Sequence, residues 1–218
     1  MVKIAPSILS ADFVNLERDI TLAAESGADW LHVDVMDGLF VPNISIGLPV
    51  VSAIKRVSPL PLDVHLMIER PLRYVERFCK AGADLLTVHV EADTEENTHR
   101  ALELIRECGA VPSLCIKPKT PAEAVLPFLE QCGMILMMTV EPGFGGQSFM
   151  RELLPKLAAL RGYIERYQPG CYLEVDGGIN EQTALEVRKS GANVLVAGSS
   201  YFGAPDRPAF VAALKREM

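Results

Sequence analysis

Histidine and aspartate stand two residues apart at two places in this chain, His32 and Asp34 in HVDVM and Asp63 and His65 in DVHLM, and a third stretch, EVDGG, pairs Glu174 with Asp176. Each stretch lies in a β-branched run, where residues two apart project from one face of a strand. His32, Asp34 and Met36 therefore share a face, as do Asp63, His65 and Met67, and as do Glu174 and Asp176. Two imidazoles and two carboxylates converging from three strands could hold a divalent metal or move protons. A single H-x-D spacing is a weak signal, and three stretches of matching parity are a strong one. Glycine-rich loops follow the same kind of run: Gly143, Gly145 and Gly146 around Phe144 in PGFGGQ, Gly177 and Gly178 in VDGGI, and Gly198 before Ser199. Glycine lets backbone amides approach an anion without interference from a Cβ. The second and third loops also precede helix starts, whose free N–H groups favour negative charge. The chemistry indicated is a metal site beside a phosphate pocket.

The elements that must position these residues alternate. Strand-like runs fall at Lys3–Ile8, Trp30–Val35, Leu62–Leu66, Leu85–His89, Val111–Ile116, Ile135–Val140, Tyr172–Val175 and Val194–Ala197. Helical periodicity falls between them at Phe13–Ser26, Leu72–Ala81, Glu95–Cys108, Ala122–Gln131, Phe149–Tyr167, Glu181–Lys189 and Arg207–Arg216, with a shorter stretch at Val50–Val57. Gly27, Gly82, Gly109, Gly133 and Gly191 follow helical runs where a left-handed terminating residue belongs. Eight β–α units with right-handed crossovers predict a (β/α)8 TIM barrel over residues 1–218 as one catalytic domain. A doubly wound open sheet fits less well, because no loop has the G-x-G-x-x-G dinucleotide spacing. In a barrel the chemistry sits at the carboxyl ends of the strands, and phosphate is often held after strands seven and eight, where Gly177, Gly178, Gly198 and Ser199 fall.

Composition narrows the classes. The chain has 218 residues, 49% of them hydrophobic, and a net charge of −7; an isoelectric point near 5.2 argues against nucleic acid as a partner. A mean hydropathy of +0.20 suits strands buried on both faces. No apolar run reaches membrane-spanning length and the first strand begins without a basic leader, so the expectation is a cytoplasmic protein that does not engage membranes. Five cysteines without C-x-x-C spacing argue against a zinc ribbon or a disulfide framework.

APSILSADF at Ala5–Phe13, HVDVMDGLFVPN at His32–Asn43, LDVHLM at Leu62–Met67, MTVEPGFGGQSF at Met138–Phe149 and EVDGGIN at Glu174–Asn180 together resemble the ribulose-phosphate 3-epimerases, nearly end to end. The resemblance implies interconversion of D-ribulose 5-phosphate and D-xylulose 5-phosphate in the pentose phosphate pathway, by two-base proton transfer through a 2,3-enediolate. It implies one divalent metal per chain, zinc or iron first and manganese or cobalt next, on His32, Asp34, His65 and Asp176, with Asp34 and Asp176 as the acid–base pair. Substrate contacts are expected from Ser7, His65, Gly143, Phe144, Gly145, Gly146, Asp176, Gly177, Gly178, Gly198 and Ser199, and a dry wall from Met36, Met67 and Met138. The partner is then a small phosphorylated ketose, and relatives form homo-oligomers.

Asp63 and Glu174 share the inward parity one layer deeper and are expected to orient His65 and other polar groups. His89 is expected to be a satisfied structural histidine, His99 to be solvated, Asn43 to fix its loop, and Lys119 to be an exposed loop residue. Three other activities fit parts of the pattern. A D-allulose-6-phosphate 3-epimerase would differ in room for one more carbon, a metal-free phosphate barrel of amino-acid biosynthesis would not need the two inward histidines, and a silent phosphosugar sensor would have lost Asp34 or Asp176.

Overall fold

The computed structural model describes residues 2–216; Met1, Glu217 and Met218, the ends of the expected 1–218 domain, lie outside the described residues. Eight parallel strands run β1 (Lys3–Pro6), β2 (Leu31–Met36), β3 (Leu62–Met67), β4 (Leu85–His89), β5 (Val111–Ile116), β6 (Met134–Met138), β7 (Tyr172–Asp176) and β8 (Val194–Ala197). Consecutive strands pair from β2 to β8, and β8 pairs with β1. A parallel bridge between Ser7 and His32, with the Asp29 and Trp30 amides donating to the Ile4 carbonyl, closes β1 against β2. The result is the expected (β/α)8 barrel.

Parity divides the strands cleanly. Val33, Val35, Val64, Leu66, Leu86, Val88, Leu114, Ile135, Val175 and Leu195 face outward into the main apolar cluster beneath the helices. Each such fully buried aliphatic contributes about 1.5–3 kcal/mol of transfer free energy. Inward, Ala5, Leu85, Met134, Val194 and Val196 plug the floor with Trp30. The layers above carry His32, Asp63, Glu174, Thr87 and Ser113, then Asp34, His65 and His89, all buried, with Cys115, Leu136 and Met138 forming an apolar side.

Helices α1 (Leu16–Glu25), α2 (Leu48–Val57), α3 (Val75–Ala81), α4 (Glu95–Glu107), α5 (Leu154–Tyr167), α6 (Glu181–Lys189), α7 (Ser199–Phe202) and α8 (Arg207–Lys215) surround the sheet. The helix expected over Ala122–Gln131 is instead two 3₁₀ turns, Ala122–Val125 and Leu129–Gln131. Pro127 lies between them, and its ring and missing N–H break an α-helix at that point. The run expected from Phe149 begins as a 3₁₀ turn at Arg151–Leu153, and α5 starts where Pro155 can occupy the first turn. β1 stops at Pro6 because Ser7 caps a 3₁₀ turn at Ile8–Ser10. The short α7 after β8 had no periodic signal at its length. Gly27, Gly82, Gly109 and Gly191 have positive φ as expected, but Gly133 does not. It is a close-approach residue, since a Cβ there would sit 2.5 Å from Val111 Cγ1.

Candidate active site

Cross-strand register gathers the donors. In the β2–β3 ladder His32 lies opposite Asp63, Asp34 opposite His65, and Met36 opposite Met67; Asp176 closes the group from β7, opposite Met138 and Val196. His32 Nε2 and His65 Nδ1 each lie 3.2 Å from Asp34 Oδ1, and the Ser7 hydroxyl donates to Asp34 Oδ2 at 2.6 Å. One donor atom from each of His32, Asp34, His65 and Asp176 falls within 4.8 Å of the other three. Donors on opposite sides of one ion stand about 4.4 Å apart at most when metal–ligand bonds are about 2.0–2.2 Å. The mixed nitrogen and oxygen set therefore fits a single divalent ion with only small adjustments.

Asp63 orients His32, not His65 as expected: its Oδ2 lies 2.6 Å from His32 Nδ1. The reason is register, which places Asp63 directly across from His32 while His65 is two residues along the same strand. Glu174 Oε1 is 3.9 Å from the same nitrogen, and neither Glu174 oxygen nor Asp63 Oδ1 has a hydrogen-bond partner among the described residues. Burial, and then Asp63, push the Glu174 carboxyl well above its ordinary range.

The two carboxylates at the cavity differ in proton affinity. Burial would raise Asp34, but the charge and hydrogen bonds of His32 and His65 outweigh it and hold the carboxyl well below its usual range. Burial, and then the Asp34 charge, push Asp176 up to about 7. Burial alone would lower His32, yet Asp34 and Asp63 on either side keep it well above the ordinary imidazole value. Burial lowers His65. One carboxylate kept ionised and its neighbour kept near neutrality is how sites separate a base from an acid.

A cavity of about 360 Å³ opens at the carboxyl ends of the strands, lined by Ser7, Asp34, Asp176, Met36, Met67 and Met138 at its base. Gly143, Phe144, Gly145, Gly146, Gly177, Gly178, Gly198 and Ser199 line its other side. His32 and His65 are fully buried and meet the cavity through Asp34. The glycines at 177 and 178 are required: both have positive φ, and a Cβ would meet Val140 atoms from 2.5 Å at Gly177 and the Phe149 backbone nitrogen at 2.5 Å at Gly178. The backbone amides of Gly145, Gly146, Gly178 and Gly198 donate to no backbone acceptor among the described residues. The start of α6 is less available than expected, because the Asn180 side chain already accepts from the Gln182 and Thr183 amides in a capping box. The amides left without a backbone acceptor are therefore those of the loops and of the Gly198 turn.

Ser10 and Arg151 are among the other residues that line this cavity. Ser10 lies one 3₁₀ turn after Ser7, the spacing that eclipses side chains in such a turn, and that spacing in APSILSADF was the available signal. Arg151 arrives from beyond the glycine loop with its guanidinium engaged by Glu186, Nε to Oε2 at 3.0 Å; nothing local in the sequence points it there. Asn43 fixes its loop, donating from Nδ2 to the Gly143 carbonyl at 2.8 Å. Lys119 is 90% exposed and lies 3.7 Å from Glu141, away from the cavity. His99 is less solvated than expected, 2.6 Å from Gln131 Oε1 and against the Phe128 ring.

A (β/α)8 barrel that sets an imidazole–carboxylate cluster beside an amide-lined anion pocket is a phosphate-ester enzyme of the acid–base kind. The chain belongs to the ribulose-phosphate 3-epimerase family, whose model matches residues 3–202. It is 48% identical to ribulose-phosphate 3-epimerase of Synechocystis over 98% of this chain and 93% of that protein. It is 46% identical to the Bacillus subtilis enzyme of that name over 99% of each. The chloroplastic ribulose-5-phosphate-3-epimerase of Arabidopsis thaliana is 44% identical over 97% of this chain and 75% of its own length. Among solved structures, 3-hexulose-6-phosphate synthase from Salmonella typhimurium superposes with a TM-score of 0.73 over 97% of this chain and 96% of that one, at 18% identity, a likeness of fold.

Proposed function

We propose that Asp34 and Asp176 are the acid–base pair with which this chain, a ribulose-phosphate 3-epimerase, interconverts D-ribulose 5-phosphate and D-xylulose 5-phosphate. The observation that carries the reading is two carboxylates, Asp34 and Asp176, facing one cavity beside three methionines, with free amides at its far side. Inverting the carbon next to a ketone requires a proton to leave from one face and another to arrive on the opposite face. Asp34, ionised, takes the C3 proton of one epimer to give the enediolate, and Asp176, protonated, delivers to the other face; the roles exchange in reverse. Met36, Met67 and Met138 keep water from the planar intermediate. The Ser7 hydroxyl, bonded to Asp34 Oδ2, holds that carboxylate in place.

A divalent ion on His32, Asp34, His65 and Asp176, with zinc or iron first and manganese or cobalt next, supplies Lewis-acid polarisation of the ketone when bound. The whole of residues 1–218 serves as one catalytic domain in a cytoplasmic homo-oligomer that acts on small phosphorylated ketoses and on neither nucleic acid nor membrane. Among the described residues no helix is long and apolar enough to cross a membrane.

The test is incorporation of solvent deuterium at C3 during turnover in D2O. Label is expected at C3 in the product from either ketose phosphate. Epimerisation without label would exclude exchange-competent carboxylates.

The phosphate arm has its own expected result. A Cβ at Gly198 would stand 2.9 Å from Ser10 Oγ and fill the amide cradle. Gly198→Val should therefore raise KM and the inhibition constant for inorganic phosphate far more than Lys119→Ala, whose charge acts only through screened solvent. A large loss confined to the lysine variant would overturn the amide cradle.

A further inference from the structure

His89 is as fully buried as His32 and His65 and does not line the cavity; its hydrogen bonds run the other way. His89 Nε2 lies 2.9 Å from His65 Nε2, and His89 Nδ1 lies 3.1 Å from Glu91 Oε2. The Glu91 side chain, 22% exposed, is itself anchored: Oε1 accepts from the Lys117 amide at 2.8 Å and from the Thr120 hydroxyl. At the inner end, His65 Nδ1 faces Asp34 Oδ1 at 3.2 Å.

With a cation on His65 Nδ1 these contacts have one consistent direction. His65 then carries its one proton on Nε2, and His89 Nε2, 2.9 Å away, is the bare nitrogen that accepts it. An ionised carboxylate accepts and cannot donate, so His89 Nδ1 carries the proton that faces Glu91. His65 Nδ1 is the nitrogen on the side of Asp34, whose donor atom meets those of His32 and Asp176. Imidazole binds a cation through its bare nitrogen, and the bond made by the other nitrogen decides which one that is.

We propose that Glu91 and His89 are positioning residues that fix His65 as its Nε2–H tautomer and so present Nδ1 to a divalent cation. The proposal rests on the metal reading given above. A purely structural histidine would need partners of any polarity, whereas this relay needs an acceptor at residue 89 and a carboxylate at its outer end. Phe40 lies over the His89 ring, with centroids 4.7 Å apart, and supplies no competing hydrogen-bond partner.

The chain has four histidines, so their ring nitrogens can be assigned individually by 15N–1H correlation spectroscopy of the zinc-loaded protein near neutral pH. Wild type is expected to show the proton of His65 on Nε2 and that of His89 on Nδ1. His89→Phe removes the acceptor, and zinc affinity, measured by competition with a chromophoric chelator, is expected to fall about 10–100-fold, the usual cost of losing the group behind a metal-bound histidine. His89→Gln keeps an acceptor oxygen and should bind zinc nearly as wild type does. A His65 proton on Nδ1 in the zinc-loaded wild type overturns the proposal without recourse to any variant, as does a folded His89→Phe protein with unchanged zinc affinity. Wild-type protein that binds no zinc would instead overturn the metal reading of the site, and the proposal with it.

Discussion

Asp176→Asn is expected to slow epimerisation in both directions by about 10²–10⁴-fold, the usual contribution of one positioned acid or base. Asparagine keeps the shape and an oxygen donor but can neither release nor take the proton that Asp176, raised to about 7 by burial and the neighbouring Asp34 charge, is placed to carry. Asp34 is untouched in this variant and still faces the substrate. One epimer should therefore continue to exchange its C3 hydrogen with solvent although it is no longer inverted. Proton NMR in D2O reads the two rates separately, and metal content measured on the same sample separates loss of a proton carrier from loss of the ion. Near-normal epimerisation would remove Asp176 from the mechanism.

Stripping divalent metal by chelation and dialysis should abolish turnover while circular dichroism still reports a folded barrel. His32, Asp34, His65 and Asp176 sit on β2, β3 and β7, whose backbone ladders hold those strands without any ion. The cost should appear in stability rather than in secondary structure, because a ligand at about 1,000 times its Kd adds about 4 kcal/mol to the native state. The melting temperature should fall on removal and recover, together with activity, on adding zinc, iron(II), manganese or cobalt. Full activity in protein shown to be metal-free would overturn the expectation.

Much of this site was legible in the chain because strand parity is local. HVDVM and DVHLM each say which residues share a face, and the glycine loops declare themselves by type. What the sequence withheld was register. Nothing in DVHLM states that Asp63 will lie across from His32 rather than serve His65, since that depends on how two strands slide past one another. The His65–His89–Glu91 chain was hidden for the same reason: it crosses from β3 to the end of β4, and residue type alone shows only a buried histidine. The false helix at Ala122–Gln131 is a different failure. Its apolar spacing is helical, and Pro127 prevails over that spacing through a single missing N–H and one steric clash. The curated relatives favour the pentose-phosphate epimerase over the hexose epimerase, the metal-free barrel and the sensor.

Barrel closure also bears on when, during synthesis, the site comes into being. β1 leaves the ribosome first, yet its ladder partner β8 begins at Val194. Until that late segment arrives, β1 has only the Ser7–His32 bridge and the bonds to Ile4 to hold it against β2. The Ser7 hydroxyl that restrains Asp34 and the Gly198 turn that completes the anion cradle are thus supplied by opposite ends of the chain and meet across one seam. A nascent chain can carry His32, Asp34, His65 and Asp176 once Asp176 has emerged, but it lacks the Gly198–Ser199 side of the cavity for about another twenty residues of translation, roughly one to four seconds at elongation rates of about 5–20 residues per second.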